Sequence, residues 1–173
     1  MAQRTDSLDL GRLGLTSGEA RRFDLHIAVE PFSYGGQRYE VDPSLLPATL
    51  DLSRTVGSGW ALRLRFAAQL RGPCMRCLEE ATPGFKVDVR EVDQQSGGDD
   101  QLSSPYVDDG ELNLKSWARD ALALALSAQI TCRPDCRGLC GRCGVNLNEH
   151  PDHAHESEPD PRWAKLAELK FDE

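Results

Sequence analysis

Six cysteines offer the densest chemistry in this 173-residue chain. Cys74-Met75-Arg76-Cys77 and Cys140-Gly141-Arg142-Cys143-Gly144 are Cys-x-x-Cys units. Two residues between thiolates let one tight turn aim both sulfurs at a single tetrahedral ion. Gly144 permits the close backbone approach that such a knuckle uses. Cys132 and Cys136 complete a compact Cys-x3-Cys-x3-Cys-x2-Cys run. Zinc, redox-inert and suited to soft ligands, is the expected metal. A lone Cys-x-x-Cys is also compatible with a thioredoxin-like redox pair, but the βαβ context of that fold is missing. Cys74 and Cys77 could also be two buried structural thiols, but zinc is the favoured reading of the pair.

The sulfurs allow two groupings. One zinc ion held by Cys132, Cys136, Cys140 and Cys143 leaves Cys74 and Cys77 apart. Two ions pair Cys74 and Cys77 with Cys132 and Cys136, and Cys140 and Cys143 with His153 and His155. His150, His153 and His155 are equally readable as a solvated polar loop. His26 falls within an expected strand and reads as structural.

No other catalytic constellation stands out. A Gly-rich phosphate loop, a nucleophile elbow and an HExxH pair are all missing from the sequence. Asp99-Asp100 and Asp108-Asp109 could serve a metal-dependent nuclease only if they were preorganised, and their Ser/Gly-rich surroundings favour a solvated loop. The expectation is a protein that binds partners without catalysing a reaction. Its candidate RNA contacts are Arg63, Arg65, Arg71, Arg76, Lys86 and Arg90. Arg133, Arg137 and Arg142 decorate the second cysteine run, where neutralising zinc-bound thiolates is an equal use for them.

These groups must be positioned by a framework with its own signature. Strict alternation marks strands at Phe23, Leu25, Ile27 and Val29, and at Leu50, Leu52 and Val56. The longest runs through Trp60, Leu62, Leu64, Phe66, Ala68 and Leu70, with Arg63, Arg65 and Arg71 on the opposite parity. Phe85, Val87 and Val89 begin another, so Cys74 and Cys77 fall at a turn between strands. Asn113 is a helix N-cap candidate. Leu114, Trp117, Ala121, Leu124, Ala125 and Ala128 then recur at helical spacing, widened by Leu122, Leu126 and Ile130. A short last helix is signalled by Asp160 and Pro161, with Trp163, Leu166 and Leu169 on one side.

The expected class is α+β. An antiparallel sheet, curled toward a barrel, occupies 1–92 with its Cys-x-x-Cys hairpin. An acidic flexible loop spans 93–111 and a helix packed on the sheet spans 112–131. A cysteine-rich zinc lobe with a short helix spans 132–173.

Formal net charge is −8. That argues against indiscriminate coating of nucleic acid. The charge is segmented: six basic residues lie between Trp60 and Val92, whereas Asp93 to Glu111 holds six acidic residues and no basic one. No run approaches the ~20 apolar residues of a membrane span. The first residues carry no apolar signal segment, which points to the cytoplasm, where thiols stay reduced.

Cys132-Arg-Pro-Asp-Cys136-Arg-Gly-Leu-Cys140-Gly-Arg-Cys143-Gly-Val-Asn-Leu-Asn148 closely resembles the signature of the bacterial YceD family, the large ribosomal RNA subunit accumulation proteins. Cys74-Met-Arg-Cys77-Leu78-Glu79 resembles that family's hairpin motif, and Asp160-Pro161-Arg162-Trp163-Ala164-Lys165-Leu166 its closing segment. Many relatives carry two further cysteines where this chain has His153 and His155, which favours the two-ion grouping. The resemblance implies a role in large-subunit rRNA accumulation and ribosome assembly. Its expected partner is rRNA or pre-rRNA. The alternative is an adaptor whose acidic loops and Trp163 helix dock a basic ribosomal protein or a processing enzyme. Neither a membrane nor a nucleotide cofactor is expected.

Overall fold

The structure, a computed structural model, describes residues 4–57, 59–94 and 102–155. The expected helix after Asp160 and the Asp99-Asp100 pair lie outside the described residues. The chain divides into two compact units, Met1–Cys136 and Arg137–Glu173.

The first unit is built around one long strand. In chain order its elements are β1 (Ser7–Asp9), a 3-10 turn (Gly11–Leu13), β2 (Ala20–Ala28), β3 (Phe32–Tyr34), β4 (Gln37–Asp42), β5 (Leu45–Arg54), β6 (Trp60–Pro73), β7 (Glu80–Ala81), β8 (Gly84–Asp93), β9 (Val107–Asp108), β10 (Glu111–Asn113) and α1 (Leu114–Ala125). The antiparallel order β2-β5-β6-β4-β3 is joined by β7 and β8, both on β6. β6 alternates because the sequence does: Trp60, Leu62, Leu64, Phe66, Ala68 and Leu70 are buried, and the residues between them face outward. Its fourteen residues serve four neighbours, β5 and then β4 on one side, β8 and then β7 on the other.

The sheet does not close into the barrel that the alternation suggested. β2 and β8 remain unpaired with each other, and the apolar face is covered by α1, which packs against β8, β2 and β1. A covering helix gives that face its second layer without closure. Asn113 caps α1 as expected, its side chain accepting from Ser116 N–H at 2.9 Å. The helix stops at Ala125, earlier than its apolar spacing implied. Leu114, Trp117, Ala118, Ala121 and Leu122 are buried, but Leu124 is 85% exposed. Val56 lies in the turn after β5 and is also exposed. Within the expected acidic loop, Val107–Asp108 forms a strand against β10, which pairs with β1. No helix among the described residues is long and apolar enough to cross a membrane.

Where β6 approaches β4, the absence of a side chain matters. A Cβ on Gly72 would lie 2.5 Å from Tyr39 Cδ1 and 2.8 Å from the Arg38 carbonyl. The fully buried Tyr39 donates its hydroxyl to the Pro73 carbonyl at 2.8 Å, one residue before Cys74. Gly72→Ala is therefore expected to destabilise the first unit by about 2 kcal/mol through overpacking. Gly84→Ala, whose nearest neighbour would be 3.8 Å away, should stay within about 0.5 kcal/mol of wild type. Urea denaturation of the two variants checks this.

Candidate metal centres

The turn from β6 to β7 is a tight knuckle. Cys74 N–H donates to the Glu79 carbonyl at 2.7 Å and Leu78 N–H to the Cys74 carbonyl at 3.0 Å. Leu78 takes a left-handed backbone (φ 64°). Met75 ties this knuckle to the chain beyond α1: its N–H donates to the Ile130 carbonyl at 2.8 Å, and its sulfur accepts from Ile130 N–H at 3.4 Å. Tyr34 adds hydrogen bonds from its hydroxyl to the Ser127 and Ala128 carbonyls. These ties bring Cys132 and Cys136 back to the knuckle.

Cys74 Sγ lies 3.8 Å from Cys136 Sγ, and Cys77 Sγ lies 3.6 Å from Cys132 Sγ. The four sulfurs all fall within 4.8 Å of one another. Tetrahedral zinc with bonds of ~2.3 Å needs sulfurs about 3.8 Å apart, whereas a disulfide needs ~2.05 Å. All six cysteines are free thiols, so the spacing is that of a tetrathiolate cage. Cys74, Cys77 and Cys136 are buried and Cys132 is half-buried.

The thiols of this cage differ in acidity. Burial acts upward on Cys74, but the backbone N–H groups of Cys77, Arg76 and Cys132 outweigh it and bring the thiol down to about 6. Burial, with neighbouring sulfurs adding to it, pushes Cys77 up to about 12. Burial likewise raises Cys132. Cys74 thus ionises readily while Cys77 and Cys132 resist, because burial disfavours the charged form and neighbouring sulfurs add to it. A divalent cation held here would supply the charge that lets all four ionise.

The second set lies wholly within the second unit. Gly144 N–H donates to the Cys140 carbonyl and Cys140 N–H to the Val145 carbonyl, each at 2.8 Å. Gly144 has φ 76°, the left-handed turn that glycine adopts without strain. Asn148 accepts from Arg137 N–H, and the Arg137 guanidinium donates to the Pro151 carbonyl, both at 2.8 Å. Cys140 Sγ is 3.2 Å from His155 Nε2, Cys143 Sγ is 3.1 Å from His153 Nε2, and the two Nε2 atoms are 3.0 Å apart. This is a compact Cys2His2 set with its donor atoms converging, the chemistry of a structural zinc site. The backbone N–H groups of Arg142 and Cys143 hold the Cys140 thiol at about 6.

Among the described residues the candidate ligands are thus gathered four and four, the second of the two groupings open to the sequence. Cys132 and Cys136 belong to the first unit, and the second begins at Arg137. His150 and His26 join neither set.

Of the candidate RNA contacts, Arg63, Arg65, Arg71, Lys86 and Arg90 project from the outer face of β6 and β8 and Arg76 lies in the knuckle; three of them meet carboxylates. Arg63 forks onto Asp88 at 2.8 and 2.6 Å, Arg65 reaches Asp51 at 2.7 Å, and Arg71 lies 3.3 Å from Asp42 and 3.7 Å from Glu80. Arg22 holds the other oxygen of Asp51 at 2.6 Å. The guanidinium partners keep Asp51 and Asp88 below the usual carboxylate range: for Asp51 the hydrogen bond from Arg22 leads, for Asp88 that from Arg63. Sequence reading missed these acids because they bond across diagonals of the sheet, Arg63 to the residue registered with Arg65 and Arg65 to the residue registered with Arg63. Among the described residues, Arg76, Lys86 and Arg90 have no carboxylate within salt-bridge distance.

Comparison with known proteins bears on both centres. The family model for "Large ribosomal RNA subunit accumulation protein YceD" matches residues 62–170. The chain belongs to the YceD family. The match spans every residue of the two cysteine sets. An uncharacterized protein of Mycobacterium tuberculosis is 35% identical over 170 residues, covering 94% of this chain and 80% of its own length. An uncharacterized Mycobacterium leprae protein is 31% identical over 101 residues, 56% of this chain and 46% of its own length. "Large ribosomal RNA subunit accumulation protein YCED homolog 1, chloroplastic" of Zea mays is 39% identical over 184 residues, covering 85% of this chain and 60% of that protein. No solved structure matches significantly.

Two expectations follow from the geometry. Elemental analysis of freshly purified, reduced protein should find two zinc equivalents, falling by about one when His153 and His155 are both replaced by Ala. Cys74→Ser should remove about one equivalent and also destabilise the first unit, since the metal supplies local folding free energy. In metal-free protein, Cys140 should be alkylated first. Only the thiolate reacts, so the rate should rise as pH increases through about 6 and then level off. Added zinc should suppress the reaction, as peptide mapping by mass spectrometry would show.

Proposed function

We propose that this YceD-family chain is a non-catalytic zinc-binding factor supporting accumulation of large-subunit ribosomal RNA. It acts by holding rRNA or an assembly partner, in the cytoplasm. The observation that carries the reading is the family match over residues 62–170, a span that contains both convergent ligand sets. Zinc-saturated thiolates make no redox nucleophile, so the metals serve shape rather than turnover.

A second reading, a protein-protein adaptor for a ribosomal protein or processing enzyme, draws support from the neutralised arginines. A face whose cations are mostly paired with carboxylates suits a protein of mixed charge as well as phosphate. Direct RNA contact then falls mainly to Arg76, Lys86 and Arg90.

Depletion of the chain should lower large-subunit rRNA relative to small-subunit rRNA, and wild-type protein should restore the ratio. An unchanged ratio on depletion would reject the proposed role. Arg76→Glu with Arg90→Glu, both on exposed positions, should leave folding intact. It should reduce ultraviolet crosslinking to rRNA and flatten its salt dependence, because fewer counterions are released on binding. Crosslinks to protein alone, unchanged by the double variant, would select the adaptor reading.

A further inference from the structure

β8 is paired along one edge only. β6 holds it from Trp60↔Asp93 to Gln69↔Gly84 without a bulge. Among the described residues no strand, bridge or backbone hydrogen bond reaches the other edge of this ten-residue strand. The opposite end of the sheet is treated differently: beside β2, Arg4 bridges His26, and Thr5 N–H donates to the His26 carbonyl at 2.8 Å. A long, regular edge with no proline presents outward N–H and C=O groups on alternate residues, a template for another strand.

We propose that this edge pairs with the β8 of a second copy of the chain, forming one antiparallel sheet across a two-fold axis at Val87. The side chains select both occupant and register. In a two-fold pair, residues equally far before and after the centre face each other. Centred on Asp88, the pairing would set Asp88 against itself and Lys86 against Arg90, so that every charged pair on the outer face repels. Centred on Val89, it would set Asp88 against Arg90 but place Val87 against Glu91 and Phe85 against Asp93 on the apolar side. Centred on Val87, it sets Lys86 against Asp88 and Phe85 against Val89, each twice by symmetry, with Val87 against Val87. Opposite charges then meet on the outer face and apolar groups on the inner one, the cross-strand pairs that stabilise sheets.

The charges are available for this. Lys86 is exposed and has no carboxylate within salt-bridge distance among the described residues. Asp88 accepts the Arg63 fork, and a carboxylate keeps further lone-pair positions for a second donor. The seam uses residues 84–90 and leaves both metal sets untouched. The inference goes beyond the proposed function and stands or falls separately from it.

Sedimentation of the full zinc-loaded chain, in a series from low to high micromolar concentration, should show a monomer passing to a dimer. Hydrogen exchange at alternate β8 amides should be slow in the dimer and fast after dilution. Lys86→Glu should weaken dimerisation by about tenfold, since two attractive pairs become repulsive. Asp88→Lys should do the same. Mixing the two variants should restore the dimer, because each new charge then faces its opposite. A monomer at every concentration would overturn the proposal. So would β8 protection that persists on dilution, which means an edge covered within one chain, or a dimer indifferent to both substitutions.

Discussion

Four sulfur atoms drawn together in a largely buried site cannot all carry negative charge unless a cation sits among them. That electrostatic constraint organises much of the first unit. The knuckle between β6 and β7 brings two sulfurs, and the chain leaving α1 brings the other two. Met75, Tyr34 and Tyr39 then fix the approach through hydrogen bonds to backbone atoms. The sheet and the metal set share supports, since Tyr39 is at once a core residue and the partner of Pro73. The second set depends on a much shorter stretch of backbone. Its ligands come from a hairpin turn and the loop that follows it, so its loss need not disturb the sheet.

Charge on the outer face follows a different logic. Asp51 is held by Arg22 and Arg65, and Asp88 by Arg63, so opposite charges interleave across four strands. Individually such exposed pairs contribute little, on the order of 1 kcal/mol or less. Their effect is on recognition: the face offers a patterned surface of both signs, with its unneutralised cations toward β8 and the knuckle. A partner must match that pattern rather than respond to a uniform field.

Much of this was legible in the sequence because the periodicities were unusually clean. The alternation from Trp60 to Leu70 gave β6 and its outward arginines, and Asn113 marked the start of α1. The family signature was carried by the cysteine spacings. What the sequence left open depended on register and return paths. Cys132 and Cys136 are near neighbours of Cys140 and Cys143 in the chain, yet they meet Cys74 and Cys77 in space. Contacts far apart in sequence, Ile130 with Met75 and Tyr34 with Ser127 and Ala128, decide that grouping. The curl toward a barrel was a fair expectation for one-faced strands. A covering helix satisfies the same apolar face, and alternation cannot distinguish the two solutions. β3 and β4 were missed because their buried residues, Phe32, Tyr39 and Val41, are too sparse to form a repeating pattern.

The order of ligands along the chain has a consequence for synthesis. Cys74 and Cys77 leave the ribosome long before Cys132 and Cys136, and the loop between Cys77 and Cys132 spans 55 positions. A nascent chain that has extended through β8 therefore carries half a cage, with thiols that have no partners until α1 has emerged. Domains fold as they are made, N-terminal first, so metal capture at this set would come late. The second set imposes no such wait, because its four ligands lie within sixteen consecutive residues, Cys140 to His155. One polypeptide thus contains a site that records completion of a long segment and another that can form almost as soon as its residues appear.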